Sequence, residues 1–556
     1  MADGMTDDDL QTLVNSYKGH QPEMSETEYE TRVYANRSVS MDRIKYIGFD
    51  MDYTLVAYKS PEYEQLAYEL AVERLVSIGY PKEIQNIKYD PSFPVRGLFC
   101  DKVYGNLLKC DPFGNILSCF HGFTSYTSMK MRKCYPNKYV QPLDRRIEIL
   151  YTLFHLPETY LFAALVDFFD NHPDYKRIED GPDKDKGVKC GDVEISYWMI
   201  QQDVRRTVDW IHNEGKLKER TLQNLEKYVN RDKRLPKMLY QLRRSGRKVF
   251  LATNSGYEYT MRLLRYMLEF PELDEPGLGP LQWKSYFDYL ITDANKPLFF
   301  TEGSMLREVD EDTHSLKLGV FTGVLQPGQV YSGGSSDAFC KYTGASGKQI
   351  LYVGDHIFGD VIKAKKEQAW RTFLVLPELT DETLVWESIK ALYQRLQNLE
   401  YILSVMYRCN ADDNAQLVPL STNAKLPNIE SIRRAIKEIV LKMEESYPRR
   451  LGSLLRCGSQ LTYFANQVSR YADLYGSSCL CLMNYTPNHL FTAPHQLMAH
   501  EMPSQETSSS SPEPRSAGAI HYPIRKNMSM TRAQSIADHD VDDEDGPGAG
   551  VAIRAL

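Results

Sequence analysis

One short stretch constrains the fold more than any other part of this 556-residue chain. An apolar run from Ile44 to Phe49 stops abruptly at two carboxylates, Asp50 and Asp52. A run of this length bounded by polar residues predicts a strand that is buried on both faces. Because ligands bind beyond the carboxyl ends of such strands in open α/β sheets, we expect both acids at the mouth of a crevice. Two carboxylates this close repel each other unless a cation or a shared proton offsets the charge. The alternative to such a site is an ordinary solvated strand end that carries two acids.

Four later apolar runs end in polar residues in the same way. The predicted strands span 248–252, 287–292, 350–353 and 371–376. Parallel strands bring their carboxyl ends to one edge of a sheet, so the repetition predicts a single parallel sheet with one functional edge. The polar residues expected at that edge, besides the two acids above, are Thr253, Asn254, Lys296, Asp355 and Asp360.

The alternation of strands and helices is interrupted once, and the interruption predicts an inserted domain. Residues 123–230 are mostly helical by pattern and separate two parts of the core, 28–122 and 231–408. We expect this insertion to form a cap over the crevice. A β-meander is predicted at 97–122, where turn sequences separate short strands. The other predicted segments are a disordered N terminus (1–27), a linker (409–426), a C-terminal helical region (427–500) and a disordered tail (501–556).

Composition argues against several classes of function. The net charge of −8 does not favour binding to a nucleic-acid polymer or to an anionic membrane surface. No apolar stretch is long enough to span a bilayer, and the acidic N terminus lacks the apolar core of a secretion signal. The ten cysteines show no C-x-x-C spacing, so we expect reduced thiols in a cytosolic protein.

The mixture of side chains at the predicted edge indicates a particular chemistry. Acids alone suggest a metal site, whereas a hydroxyl, an amide and a lysine alone suggest an anion site. Together they describe a phosphate held beside a hard cation, and Mg²⁺, which prefers oxygen ligands, is the expected cofactor. One carboxylate can then attack phosphorus and form an aspartyl-phosphate. The second can protonate the leaving alcohol and later deprotonate water.

The same residues resemble the motifs of a known superfamily. The segment 50–54, DMDYT, matches the Asp-x-Asp-x-Thr signature of the haloacid dehalogenase (HAD) phosphatases. Thr253, Lys296 and the pair Asp355 and Asp360 are similar to the second, third and fourth motifs of that superfamily, in the right order. This resemblance implies an α/β fold with a HAD-type, Rossmann-like parallel core, an inserted helical cap and C-terminal helices.

Longer stretches resemble one group within that superfamily, the cytosolic purine 5′-nucleotidases that prefer IMP and GMP. The similarity runs from about Tyr29 to His500, and the stretches that carry it are FDMDYTLVAYKSPEY, NLEKYV, VFLATNS, KPLFF, YSGGSSD and YVGDHIFGD. The resemblance implies hydrolysis of purine nucleoside monophosphates, including deoxy forms, and phosphate transfer to nucleoside acceptors. It also implies a homotetramer that adenine nucleotides such as ATP activate.

The resemblance assigns roles to the residues of the predicted edge. Asp50 is the expected nucleophile, and Asp52 is the general acid and base that also offers its main-chain carbonyl to magnesium. Asp50 and Asp355 are expected to supply carboxylates to the metal, and Asp360 to support them. The residues expected to contact the phosphoryl group are Thr253, Asn254, Ser255 and Lys296, and the first and last of these belong to the catalytic set.

Substrate selection is expected in the cap. Arg205, Asp209 and His212 fall at i, i+4 and i+7, which places all three on one helix face. An Arg donor and an Asp acceptor match the edge of a 6-oxopurine and would reject a base with the opposite pattern. Phe154 can stack on the ring, and the resemblance adds Lys218 to this group. The alternative is an ordinary Arg–Asp pair on a solvated helix, because this spacing is common.

The resemblance implies a second site, which binds the effector. Its expected residues are Phe358, Lys366, Gln467, Arg470 and Tyr471. For the last three, the alternative is a helix face that packs against a partner. The chain also departs from the mammalian relatives near the substrate site, since Asn213 stands where they carry Tyr and Gly256 where they carry Asp.

Three other functions fit the same fold. A phosphotransferase would use a nucleoside in place of water against the aspartyl-phosphate, and product analysis with IMP plus inosine separates the two reactions. A catalytically silent nucleotide sensor would have lost Asp50, Asp52 or Lys296, and the chain keeps all three. A phosphatase for another small phosphomonoester would gain nothing from a purine over ribose 5-phosphate.

Overall fold

The computed structural model describes residues 31–178, 186–214, 216–270, 282–408, 428–496, 498 and 500–501. The predicted disordered N terminus and the predicted linker lie outside these ranges, as does the predicted tail beyond residue 501. The chain divides into two compact units, Met1–Pro494 and His495–Leu556, and only a few residues of the second unit are described.

Thirteen α-helices lie within the described ranges. They are α1 (Glu62–Ser77), α2 (Ser128–Cys134), α3 (His155–Asn171), α4 (Tyr197–Asn213), α5 (Lys216–Gln223), α6 (Leu225–Tyr228), α7 (Arg234–Arg244), α8 (Tyr257–Leu268), α9 (Ser336–Thr343), α10 (Lys363–Gln368), α11 (Leu379–Arg408), α12 (Ile429–Glu445) and α13 (Tyr463–Tyr471). In this described part of the chain, no helix combines the length and the apolarity that crossing a bilayer requires.

The strands are short and numerous. The first twelve are β1 (Tyr34–Ala35), β2 (Val39–Ser40), β3 (Tyr46–Phe49), β4 (Ala57–Tyr58), β5 (Leu98–Asp101), β6 (Asn106–Cys110), β7 (Ile116–His121), β8 (Thr124–Ser125), β9 (Ile147–Leu150), β10 (Lys176–Ile178), β11 (Gly187–Cys190) and β12 (Val193–Ser196). The others are β13 (Val229–Asn230), β14 (Lys248–Ala252), β15 (Tyr289–Thr292), β16 (Arg307–Asp310), β17 (Ser315–Leu316), β18 (Val330–Ser332), β19 (Ile350–Gly354), β20 (Arg371–Val375), β21 (Arg456–Cys457), β22 (Gln460–Leu461), β23 (Leu474–Gly476) and β24 (Leu490–Phe491).

A ten-stranded sheet contains all the predicted core strands. Its order is β1-β23-β20-β19-β3-β14-β15-β18-β16-β17. The strands from β23 to β18 in that order run parallel to one another. At the two edges, β1 pairs antiparallel with β23, β16 antiparallel with β18, and β17 antiparallel with β16. The structure therefore confirms the predicted α/β class with a Rossmann-like parallel core.

Strands β14 and β19 send successive side chains into different hydrophobic clusters. Phe250 and Tyr352 pack with Trp370 in one cluster, whereas Leu251 and Val353 belong to another. All five side chains are fully buried. A strand covered on both faces needs apolar side chains at successive positions, which explains the unbroken apolar runs of the sequence.

Gly48, in the middle of β3, permits the close approach of a neighbouring ring. It pairs with Phe250 of β14, and a Cβ atom on Gly48 would lie 2.2 Å from Cζ of Phe250. We expect Gly48→Ala to lower the free energy of unfolding in urea by about 1–3 kcal/mol, because the ring must move within a packed core. The double variant Gly48→Ala/Phe250→Leu should recover part of that loss. An unchanged urea midpoint for the single variant would contradict the packing argument.

The inserted segment contributes both helices and strands. Helices α3 and α4 pack against each other and against α1. A separate five-stranded sheet, in the order β8-β7-β6-β5-β9, contains the predicted meander as β5, β6 and β7. Since β5 also pairs with β9, this sheet crosses the position between residues 122 and 123 at which the sequence suggested a domain boundary.

The C-terminal region was predicted as helical, and it also supplies a strand to the main sheet. Helices α12 and α13 lie in this region as expected. Strand β23 pairs in parallel with β20 and antiparallel with β1. A strand of three residues whose partners are distant in the sequence carries no periodic signal, which is why the sequence did not reveal it.

Candidate active site

The carboxyl ends of the central strands bring the predicted acids and the predicted lysine together. Asp50 follows β3, Asp355 follows β19, and Lys296 lies in the loop after β15. The backbone N–H of Asp50 donates to the carbonyl of Val353 at 2.9 Å, which fixes the end of β3 beside the end of β19. Asp360 reaches the same place from the π-helical turn after β19. We call these four charged side chains, at residues 50, 296, 355 and 360, the charged rim.

Lys296 is the cation of the charged rim. Its Nζ lies 2.8 Å from Oδ1 of Asp50 and 2.8 Å from Oδ1 of Asp360. It also donates to the hydroxyl of Tyr352 at 3.0 Å. Burial alone would lower the pKa of Lys296, but the charges of Asp360 and Asp50 outweigh it and raise the pKa well above its usual value. The lysine therefore stays charged over the physiological pH range.

Three buried carboxylates accompany this lysine. Oxygen atoms of Asp50, Asp355 and Asp360 lie within 4.8 Å of one another. Burial, opposed by Lys296, raises the pKa of Asp50 to about 7. The pKa of Asp355 is raised well above its usual range, mainly by burial and to a smaller extent by the negative charges of Asp360 and Asp50. One lysine does not neutralise three carboxylates, so the group fits a divalent cation that prefers oxygen ligands.

The Asp50 carboxylate is oriented through one of its two oxygens. Oδ1 accepts a hydrogen bond from the N–H of Met51 at 2.7 Å and pairs with Lys296. Within the described ranges, no residue donates to Oδ2 of Asp50. Oδ2 is therefore the oxygen left for a ligand or for attack on an electrophile.

The approach of Asp360 depends on a glycine. A Cβ atom on Gly354 would lie 2.5 Å from Oδ2 of Asp360. That oxygen accepts a hydrogen bond from the N–H of His356 at 3.2 Å. On the other side, Nη1 of the buried Arg96 donates to the carbonyl of Asp355 at 3.1 Å. The loop after β19 is thus fixed from both sides, and sequence analysis did not identify Arg96.

Asp52 lies in a different environment from Asp50. The chain turns directly after it, where Tyr53 has a φ of 55° and the following amides donate to the carbonyl of Met51. The hydroxyl of Tyr58 donates to Oδ1 of Asp52 at 2.6 Å, and the hydroxyl of Ser255 donates to Oδ2 at 2.8 Å. Asp52 is half-buried, whereas Asp355 and its neighbours are enclosed. Its carboxylate is therefore held at both oxygens and still partly open to solvent.

The predicted phosphate-binding residues lie in the loop after β14. Thr253 is fully buried, and its hydroxyl accepts a hydrogen bond from the N–H of Ser255 at 3.1 Å. The side-chain amide of Asn254 accepts from the N–H of Lys296 at 2.6 Å and donates to its carbonyl at 2.9 Å. Asn254 therefore fixes the backbone of Lys296, and its predicted contact with a phosphoryl group stays a prediction.

Two of the predicted cap residues lie beside the turn at Tyr53. The ring of Phe154 is 4.9 Å from the ring of Tyr53 and 5.3 Å from the ring of His212, measured between centroids. Nδ1 of His212 lies 2.7 Å from the carbonyl of Val208. Its Nε2 is buried and has no hydrogen-bond partner among the residues that the structure describes. Burial lowers the pKa of His212, so the ring is neutral and Nε2 is an unused acceptor.

Arg205 is held by residues that sequence analysis missed. Its Nη1 lies 2.7 Å from Nε2 of His155 and 3.2 Å from Oε2 of Glu158, and its Nε lies 3.4 Å from Oδ1 of Asp209. Burial, opposed by Arg205, raises the pKa of Glu158 to about 7. Glu158 could have been noticed as the one acid in the first turn of helix α3, ahead of the apolar run that follows it. The Arg205–Asp209 pair forms as the spacing predicts, which leaves base recognition and an ordinary helix pair both open.

Lys218 lies beside Tyr259 and has no contact with the charged rim among the residues that the structure describes. Its Nζ is 5.3 Å from the ring centroid of Tyr259. Both residues line a cleft of about 800 Å³ that borders the loops after β14 and β15. Gly256 also lines this cleft, and a Cβ atom there would lie 3.3 Å from Oδ1 of Asp293. The absence of a side chain at residue 256 therefore keeps this wall open.

The predicted effector residues occupy neighbouring elements, one of which also carries Asp360 of the charged rim. Phe358 lies in the π-helical turn after β19, which packs against α13, the helix of Gln467. The Nζ of Lys366 is 4.9 Å from the ring centroid of Tyr471, and the guanidinium of Arg470 is 5.4 Å from the same centroid. The role of this group as an effector site stays a prediction.

Comparisons with solved structures found chains of low overall similarity. CbbY from Rhodobacter sphaeroides, in complex with phosphate, is 10% identical with a TM-score of 0.22, and the match covers 60% of this chain and 86% of that one. YfnB from Bacillus subtilis, bound to magnesium, is 13% identical with a TM-score of 0.21, and the match covers 60% of this chain and 90% of that one. The assignment to a family rests on sequence alone.

Sequence comparisons give a match over most of the chain. A 5′-nucleotidase domain-containing protein of Dictyostelium discoideum is 27% identical over 481 residues, which cover 84% of this chain and 74% of that protein. The sequence model of the 5′ nucleotidase family matches residues 33–503, a range that includes the whole charged rim and every predicted cap residue. The chain therefore belongs to the 5′-nucleotidase family.

Proposed function

We propose that this chain is a Mg²⁺-dependent 5′-nucleotidase that hydrolyses purine nucleoside monophosphates through an aspartyl-phosphate. The observation that carries the proposal is the contact of Lys296 with Asp50 and Asp360 inside a group of three buried carboxylates. Buried carboxylates that close together require a cation, which neither an apolar core nor an ordinary strand end supplies. The family assignment narrows the class of phosphomonoester to nucleotides.

The residues present fit a magnesium ion. Asp50 and Asp355 would hold it with their carboxylates, and Asp360 would support them. The donor atoms of this group are oxygens, which suits Mg²⁺ better than a softer transition metal. When bound, the ion supplies the charge that offsets repulsion between an attacking carboxylate and a phosphate dianion.

Each step of the proposed reaction has a side chain in place. Oδ2 of Asp50 forms the bond to phosphorus while the bond from phosphorus to the nucleoside oxygen breaks. Asp52 gives a proton to that leaving oxygen and later takes one from the water that hydrolyses the aspartyl-phosphate. Lys296 and the hydroxyl proton of Thr253 stabilise negative charge on the phosphoryl oxygens.

The cap supplies recognition of the base in this proposal. The rings of Phe154 and His212 offer an aromatic surface beside the turn at Tyr53. Arg205 offers donors and Asp209 an acceptor, the combination that the edge of a 6-oxopurine requires. Because Glu158 already holds the Arg205 guanidinium, little ordering of that side chain would remain when a purine binds.

Phosphate release from a panel of esters tests the proposed function. IMP, GMP and their deoxy forms should be hydrolysed faster than AMP, UMP and ribose 5-phosphate, and EDTA should abolish the activity until Mg²⁺ is restored. Adding inosine or deoxyinosine to the IMP reaction tests phosphate transfer to a nucleoside, and adding ATP tests activation. A folded protein that released no phosphate from any of these esters with Mg²⁺ would overturn the proposal. Equal rates for IMP and ribose 5-phosphate would replace it by a general phosphatase.

Asp209→Ala should weaken recognition of the base without affecting the chemistry. A hydrogen bond to a charged group contributes about 1.5–3 kcal/mol, so KM for IMP is expected to rise roughly 10- to 100-fold. KM for p-nitrophenyl phosphate, which has no purine, should stay unchanged. The matched control is Asp203→Ala on the same helix, because Asp203 accepts a hydrogen bond from Tyr80 at 3.0 Å instead of facing Arg205. Equal changes in KM for both substrates would remove Asp209 from base recognition.

A further inference from the structure

We propose that Tyr58 and Tyr259 are positioning residues that connect the cap to the carboxylate of Asp52. The proposal rests on the proposed function, because Asp52 is the general acid and base of that reaction. It adds a physical route by which the arrangement of the cap affects proton transfer to the leaving group. Sequence analysis assigned no role to either tyrosine.

The carboxylate of Asp52 lies between two hydroxyl groups. Tyr58 donates to Oδ1 at 2.6 Å and Ser255 donates to Oδ2 at 2.8 Å. The two donors come from different elements, since Tyr58 belongs to β4 and Ser255 to the loop after β14. Two donors on opposite oxygens fix the plane of the carboxylate as well as its position.

The direction of the next hydrogen bond follows from proton counting. The hydroxyl of Tyr58 lies 3.0 Å from the hydroxyl of Tyr259. A phenol hydroxyl can donate one hydrogen bond, and that of Tyr58 is donated to Asp52, so Tyr259 is the donor in this contact. The result is an ordered series of hydrogen bonds from Tyr259 to Tyr58 to Asp52, in which each bond polarises the next.

The far end of this series touches the cap. Helix α5 places Nζ of Lys218 at 5.3 Å from the ring centroid of Tyr259. Helix α5 also packs against α8, the helix that carries Tyr259. Tyr58 has a second link to the cap, because its backbone pairs with Val229 of β13, where the chain leaves the inserted segment. Both tyrosines are therefore placed by the cap and by the core together.

The rings are packed so tightly that the hydroxyl groups have little freedom. The ring of Tyr58 stacks on the ring of Tyr63 with a centroid distance of 4.1 Å and an interplanar angle of 22°. It also contacts the ring of Tyr53 at 5.0 Å. Removing the hydroxyl alone leaves these ring contacts intact, so Tyr58→Phe is expected to fold.

The function of this arrangement is to stabilise charge that appears on Asp52 during the reaction. When Asp52 gives its proton to the leaving nucleoside oxygen, the bond from phosphorus to that oxygen breaks, the bond to Asp50 forms, and negative charge develops on Asp52. The hydroxyls of Tyr58 and Ser255 already point at the two oxygens that receive this charge. The tyrosines keep their protons throughout, and Asp52 recovers its own from water in the second half of the reaction.

Substrates with different leaving groups test this role. The nucleoside oxygen of IMP needs protonation as it leaves, whereas the oxygen of p-nitrophenol needs little. For Tyr58→Phe we expect kcat/KM for IMP to fall about 10-fold and kcat/KM for p-nitrophenyl phosphate to change less than about 2-fold. Tyr259→Phe should also lower kcat/KM for IMP more than kcat/KM for p-nitrophenyl phosphate, but by a smaller factor than Tyr58→Phe. The ratio kcat/KM is the right quantity, because it is independent of the later hydrolysis of the aspartyl-phosphate.

Two further variants make the test specific. In the Asp52→Asn background, Tyr58→Phe should not lower kcat/KM for IMP any further, because Tyr58 acts through Asp52. Tyr68→Phe is the matched control: Tyr68 is a buried tyrosine of α1 whose hydroxyl donates to the carbonyl of Ile87 at 3.1 Å. Tyr68→Phe should leave kcat/KM unchanged for both IMP and p-nitrophenyl phosphate.

The possible results separate this inference from the proposed function. Equal losses of kcat/KM for the two substrates, or a further loss in the Asp52→Asn background, would overturn the positioning role. A wild-type protein active on IMP and a Tyr58→Phe variant with the same kcat/KM would overturn it as well. A wild-type protein that releases no phosphate from any ester would instead overturn the proposed function.

Discussion

Asp50→Asn is expected to lower the rate of phosphate release from IMP by at least about 10⁴-fold, because an amide offers no carboxylate oxygen to attack phosphorus. The variant should nevertheless fold. Burial raises the pKa of Asp50 to about 7 even though Lys296 opposes it, so a neutral side chain of the same shape is well tolerated there. Phosphate release at saturating Mg²⁺ measures the first expectation, and a thermal melt measures the second.

Trapping the covalent intermediate separates a nucleophile from a residue that only binds metal. Acid quenching of the wild-type protein with radiolabelled IMP should leave label on the protein, and Asp50→Asn should retain none. Asp293→Asn is the matched control, because this acid follows the neighbouring strand β15 and accepts a hydrogen bond from Ser332 at 3.1 Å. Substantial phosphate release by a folded Asp50→Asn variant would exclude the covalent route.

The charged rim was predictable because each of its parts is local in sequence. Strand β14 spans the five residues that its apolar run indicates, and the rim acids follow the ends of similar runs. Parallel register then determines which ends meet. Phe49 pairs with Leu251 on one side and with Val353 on the other. Once these strands are recognised as parallel neighbours, Asp50 must lie between the loops of Thr253 and Asp355.

The surroundings of Asp52 were not predictable in this way. Ser255, which holds one of its oxygens, lies 203 residues further along the chain. Tyr259 lies 201 residues after Tyr58, and their hydroxyls are 3.0 Å apart. Such contacts depend on the turn at Tyr53 and on the return of the chain from the cap, and neither periodicity nor spacing encodes them. Sequence motifs therefore predicted the candidate reacting groups but not the residues that contact them.

Lys296→Met is the second variant for which a large effect is expected. Phosphate release should fall roughly 10²- to 10³-fold, because a preorganised cation no longer stabilises charge on the phosphoryl oxygens. The same change should destabilise the metal-free protein, since Nζ of Lys296 contacts both Asp50 and Asp360. Breaking a buried ion pair by removing one partner costs about 3–5 kcal/mol. Arg96 does not replace it, because Arg96 donates to the carbonyl of Asp355 and not to the carboxylate.

The pH dependence of this destabilisation follows from the raised pKa values of the rim acids. Burial already raises the pKa of Asp50 to about 7 and that of Asp355 well above its usual range. In Lys296→Met the folded protein therefore binds protons that the unfolded chain has released. Because the folded state binds more protons, the free energy of unfolding should rise as the pH falls from ~8 to ~5. Mg²⁺ at the higher pH should restore stability by binding the folded state.

Urea denaturation at both pH values, with EDTA or with Mg²⁺, measures these effects against a control. Lys248→Met removes a half-exposed lysine whose Nζ pairs with Asp288 at 3.1 Å, and it should cost less than about 1 kcal/mol under every condition. Suppose instead that Lys296→Met is equally destabilised at both pH values and insensitive to Mg²⁺. The charges of the three carboxylates would then not repel one another enough to affect stability. In that case the group would have no need of a cation, and the reason for placing a metal beside Asp50 would be lost.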